Sequence, residues 1–130
     1  MVNTDAIAQA IKDIGLEPVI DENANSVSVV YEMTTMVTIF DHERKTLSIY
    51  NINQYKFSEE KRSLEIERCN HLNEITNIGK CFIDDDGDQI MVYQSKVWRE
   101  DDLQITLQEG LGCLASMKAV YIRMSIDFSK

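Results

Sequence analysis

Residues 27–52 read VSVVYEMTTMVTIFDHERKTLSIYNI, and the period of their side chains decides the fold. Val27, Val29, Tyr31 and Met33 alternate with Ser28, Val30 and Glu32. Met36, Thr38 and Phe40 alternate with Val37 and Ile39, and Leu47, Ile49 and Asn51 alternate with Ser48, Tyr50 and Ile52. Successive side chains leave a strand on opposite faces, so a period of two in β-branched and aromatic runs predicts strands. Three antiparallel strands are expected, with turns at Asn23-Ala24-Asn25, at Thr34-Thr35, and from Asp41 to Lys45. Val19-Ile20 is a candidate for a short lead-in strand.

On either side the period lengthens to that of a helix. Ile7, Ala10, Ile11 and Ile14 share one helical stripe, with Thr4 or Asn3 as cap, Gly15 as the stop and Pro18 preventing continuation. Ser58-Glu59-Glu60 opens a second helix, with Ser58 as its cap, Leu64, Cys69, Leu72 and Ile75 as its expected buried stripe, and Gly79 after its end. Residues 81–83 and 90–93 read as two more strands, and the Asp-Gly within Asp84-Asp85-Asp86-Gly87-Asp88 marks a hairpin between them.

The last helix covers about residues 103–124. Glu100, Asp101 and Asp102 stand at its start and Lys118 and Arg123 near its end, complementing the helix dipole. Leu103, Leu107, Gly110, Leu111, Leu114, Met117, Tyr121 and Met124 form one broad stripe, and Gly112, Ala115, Ser116 and Ala119 fall roughly opposite. Each internal glycine costs about 1 kcal/mol relative to alanine, which implies close packing or a break near residues 110–112. Leu107, Gly112, Ala115, Ser116 and Ala119 are therefore the candidate protein-interaction residues. The order α-β-β-β-α-β-β-α has no βαβ regularity and points to an α+β domain, an antiparallel sheet with helices on it.

Composition bounds the function. A chain of 130 residues fits one domain, spanning residues 1–130. The net charge of −9 repels phosphate backbones, and the longest basic clusters are the pairs Arg44-Lys45 and Lys61-Arg62, so nucleic acid is not the expected partner. No apolar run is long enough for a bilayer, and the N-terminus lacks the pattern of a signal peptide, so a cytoplasmic location without membrane contact is expected. Cys69, Cys81 and Cys113 are odd in number and widely spaced, and are expected as reduced thiols.

No catalytic constellation stands out. The acidic hairpin lacks the bidentate glutamate of a calcium loop, because the position six residues past Gly87 is Tyr93. On a helix Cys69 and His71 diverge by roughly 200°. His71 could meet Cys81 or Asp84 only through the fold, which leaves an enzyme built on those three as a minor alternative. No phosphate loop, zinc spacing or nucleophile elbow is present, so no cofactor or metal is expected. Asn70 and Asn73, with Asn77 beyond, lie on nearly one helix face, as amides bonding a neighbouring strand or loop would.

The segment Cys69-Asn70-His71-Leu72-Asn73, with Lys80-Cys81-Phe82-Ile83-Asp84 and Ile90-Met91-Val92-Tyr93 after it, resembles the YbjN family of proposed bacterial sensory-transduction regulators. That family's pattern has Asn-x-x-Asn on the helix before a β-hairpin and an apolar C-terminal helix, on a fold similar to that of type III secretion chaperones. The resemblance implies homodimerisation and binding of other polypeptides without a reaction, with Asn70 and Asn73 as structural positions; the sheet surface is the expected binding face, and the last helix is expected to help form the dimer. A dedicated secretion chaperone for an effector segment is the second implied reading. Residues 97–102 have no clear counterpart in the pattern.

Overall fold

A computed structural model describes residues 2–53, 59–76 and 78–128. Ser58 and Asn77 lie outside them. Asn3 caps helix α1 (Thr4–Asp13), its side chain accepting the Ala6 N–H at 2.8 Å. Gly15, at φ +88°, closes the helix: its N–H reaches the Lys12 carbonyl while that of Leu16 reaches Ile11, the paired bonds of a Schellman stop.

Six antiparallel strands follow in the spatial order β1-β2-β3-β4-β6-β5. They are β1 (Pro18–Asp21), β2 (Ser26–Tyr31), β3 (Thr34–Asp41), β4 (Thr46–Asn53), β5 (Gly79–Ile83) and β6 (Gln89–Lys96). Helix α2 (Glu59–Ile75) lies between β4 and β5 in the chain, and α3 (Leu103–Phe128) closes it after a 3-10 turn at Glu100–Asp102. The three central strands, the acidic hairpin and the α+β class agree with the sequence reading, and the lead-in at Val19-Ile20 is the edge strand β1.

Several local expectations are corrected. The β2–β3 turn lies at Glu32-Met33, where both residues have positive φ (51° and 64°), and Thr34-Thr35 belong to β3. A two-residue loop with φ positive at both positions matches the twist of a hairpin, although Asn-Gly is its usual sequence. On α2, Cys69 and Leu72 are buried, but Leu64 is only half-buried and Ile75 is exposed. Glu65 and Arg68 are buried instead, joined at 2.7 Å. Gly79 begins β5. Residues 97–102 carry the chain to α3, with Val97 buried and its N–H on the Lys45 carbonyl at 2.8 Å.

α3 is unbroken through its glycines. A Cβ on Gly110 would stand 2.5 Å from Ile49 Cδ1 and 2.6 Å from the Tyr93 ring, so this glycine marks a close helix–sheet approach. At Gly112 nothing lies within 4 Å of that position. The core comprises the inward side chains of the sheet, among them Val27, Val29, Met36, Leu47, Ile49 and Met91, under the buried stripes of α1 and α3.

Candidate functional site

α1 packs on β1 and β2, α2 on β5, and α3 on β4, β5 and β6. Strand residues of one parity are buried beneath these helices, whereas those of the other parity form an outer face that no described helix covers. Strand register aligns Val19, Ser28, Val37, Tyr50, Val92 and Lys80 in one row across all six strands. Beside it, Ile52 pairs with Ile90, which pairs with Phe82. Val19, Val30, Ile39, Ile52 and Phe82 each expose between 39% and 66% of their surface. Antiparallel sheets normally present polar side chains to water on an open face, so this apolar expanse is the feature that calls for a function.

A second surface joins α3 to the β2–β3 hairpin. Gly112, Ala115, Ser116 and Ala119 line an open groove of about 670 Å³, whose opposite wall is the hairpin from Tyr31 to Thr34. Lys118 spans it, Nζ donating to Thr34 Oγ1 at 2.7 Å, and Met33 stands 99% exposed at the hairpin tip. Leu107 is not on this surface. It lies fully buried within the chain's own core, with Leu111, and presents nothing to a partner.

The third region is the α2–β5 contact. The Asn73 side chain accepts the Cys81 N–H at 2.7 Å and donates to the Cys81 carbonyl at 2.8 Å, occupying main-chain groups of an edge strand. Asn70 is exposed. Cys69 Sγ lies 3.0 Å from Cys81 Sγ, both thiols buried. The hydrogen bond between them holds the Cys69 thiol below its ordinary range and pushes the Cys81 thiol up, and burial raises Cys81 further. Glu65, buried beside Arg68, titrates above the usual carboxylate range because desolvation outweighs the guanidinium.

His71, Cys81 and Asp84 are each engaged elsewhere. His71 is exposed, its Nδ1 3.9 Å from Glu74 Oε2. Cys81 faces Cys69, and Asp84 Oδ1 accepts the N–H groups of Asp86 and Asp88, shaping the β5–β6 turn. His42 packs edge-on against Phe40 at 5.1 Å. Among the described residues no group of three or more His, Cys, Asp or Glu side chains could hold a metal ion, and no helix is long and apolar enough to cross a membrane. The sequence reading expected protein binding at the sheet surface but named none of its residues, and it missed the Glu65–Arg68 pair. The sheet surface had a visible signal, since the outer phase of β2, β3 and β4 carries Val30, Val37, Ile39, Tyr50 and Ile52.

No protein family's sequence model and no curated protein sequence matches the chain. Among solved structures the fold is similar to that of YbjN from E. coli, with a TM-score of 0.70 and 11% identity over 89% of this chain and 88% of that one. It is also similar to that of the Yersinia pestis type III secretion chaperone SycH, solved in complex with a stable fragment of YscM2, with a TM-score of 0.50 and 13% identity over 95% and 97% of the two chains. At such identities the likeness is one of fold. The chain has a YbjN-like, type III secretion chaperone-like α+β fold, as the motif between Cys69 and Tyr93 implied.

Proposed function

We propose that this chain is a non-enzymatic protein-binding module, a regulator of the YbjN type, that holds a partner polypeptide on the outer face of its sheet. The observation that carries the reading is the apolar sheet face, covered by no described helix, from Val19 and Val30 to Ile52 and Phe82. Burying apolar surface stabilises an association by roughly 25 cal/mol per Å², and this face offers that gain over six strands. The groove at Gly112, Ala115, Ser116 and Ala119 is the surface we assign to self-association, its small side chains allowing another backbone to come near.

Affinity capture from the source cell tests the reading. The wild-type chain should retain a stoichiometric polypeptide that a Val30→Lys/Ile52→Lys variant of equal helix and sheet content loses. Equal retention by both forms would remove the outer face from the argument. The likeness to SycH favours one further reading, a chaperone for an extended secreted segment. A client that copurifies while unfolded on its own would distinguish that role from binding of a folded regulator.

A further inference from the structure

Cys69, Asn73 and Cys81 form a cluster that protein binding at the outer face leaves unused. Cys69 and Asn73 lie one turn apart on the face of α2 that meets β5. Asn73 fixes the Cys81 main chain through two hydrogen bonds, and Cys69 holds its sulfur 3.0 Å from that of Cys81. A disulfide bond is about 2.05 Å long, so closing one here needs a sulfur displacement of about 1 Å.

Both thiols are buried, which shuts out bulky reagents. α2, however, is held by little apolar burial. Among its described side chains only Cys69 and Leu72 are buried apolar ones, beside the charged Glu65–Arg68 pair, while Ile66 and Ile75 remain exposed. A helix docked this way opens locally at lower cost than the whole domain, and a small oxidant then reaches the sulfurs.

We propose that Cys69 and Cys81 are a redox-active dithiol, oxidised by a peroxide to a disulfide that staples α2 to the β5 edge. In the first step the Cys69 thiolate attacks one oxygen of hydrogen peroxide. The O–O bond breaks, and the leaving hydroxide takes up a proton as water, giving a sulfenic acid at Cys69. Cys81 sulfur then attacks Cys69 sulfur: the S–S bond forms, the S–O bond breaks, and the Cys81 proton leaves with the hydroxyl as a second water. The two sulfurs together lose two electrons, which reduce the peroxide. Cys69 is the attacking group because the Cys81 S–H stabilises its thiolate.

Tryptic mapping of the full chain after hydrogen peroxide treatment and alkylation tests this. Cleavage after Arg68 and Lys80 puts the two cysteines on separate peptides, residues 69–80 and 81–96. The expected result is a linked 69–80/81–96 pair as the main oxidised species, which dithiothreitol returns to two peptides and which forms equally in Cys113→Ser. Cys69→Ser should abolish the link, and the wild-type map decides the question even if that variant fails to fold. Peptides that stay separate at a peroxide dose taking Cys113 to its sulfinic acid would overturn the proposal, as would linkage of either cysteine to Cys113 in place of the other.

Discussion

Gly110→Ala and Gly112→Ala should move stability in opposite directions, although the two glycines sit two residues apart in one unbroken helix. Alanine is favoured over glycine inside a helix by about 0.8–1.0 kcal/mol. At Gly112 the new methyl meets nothing within 4 Å, so the variant should keep the whole gain. At Gly110 the methyl would stand 2.5 Å from Ile49 Cδ1 and 2.6 and 2.9 Å from two atoms of the Tyr93 ring. Overpacking a filled core costs about 1–3 kcal/mol. Ile49 and Tyr93 are themselves fully buried and have nowhere to retreat, which places the cost in the upper half of that range. Net of the helix gain, Gly110→Ala should lose about 1–2 kcal/mol. With a urea dependence of about 2 kcal/mol per molar, the midpoints of the two variants should separate by about 1 M, read by far-ultraviolet circular dichroism. Shifts of the same sign would refute the helix–sheet approach derived for Gly110.

Other substitutions probe the remaining regions. Asn73→Ala removes both bonds to the Cys81 main chain and should cost about 1–3 kcal/mol in urea unfolding, whereas Asn70→Ala should stay within about 0.5 kcal/mol. The folded-state pKa of Glu65 is raised above 4.5, so this group adds stability below that pH and loses it as pH rises through the raised value. The urea midpoint of wild type minus that of Glu65→Gln should therefore fall from pH 4.5 towards neutrality, and a rise would show that the Arg68 pairing dominates. Ala115→Glu faces the open groove and should fold like the parent, and light scattering should find the parent dimeric and this variant monomeric. An unchanged mass would take self-association away from the groove.

How far the residues revealed the fold differed from element to element. β2, β3 and β4 were legible because their β-branched runs keep a period of two over many residues, and α1 because Asn3 and Gly15 mark its ends chemically. The β2–β3 turn was not: Glu32 and Met33 adopt positive φ without the Gly or Asn that normally signals it, while Thr34 and Thr35 resemble a break. α2 misled for a different reason. Its inward face mixes Glu65 and Arg68 with Cys69 and Leu72, so an apolar count assigns Ile75 to the wrong side. In α3 the small-residue face was legible as a pattern, yet only the structure shows Gly110 filling a close approach, Gly112 facing a groove and Leu107 inside the core. The outer face was written in the sequence as Val30, Val37, Ile39, Tyr50 and Ile52, the second phase of each strand. Strands that carry apolar side chains in both phases belong to sheets covered on two sides, and the described helices cover one.

Hydroxyl-radical footprinting of the captured complex against the free chain tests the central claim most directly. Occupancy of the outer face predicts loss of labelling at Val30, Ile39, Ile52 and Phe82 on binding, with Ile105, exposed on α3 at the opposite side of the sheet, labelled as before. Unchanged labelling at those four residues, with protection confined to other surfaces, would contradict it.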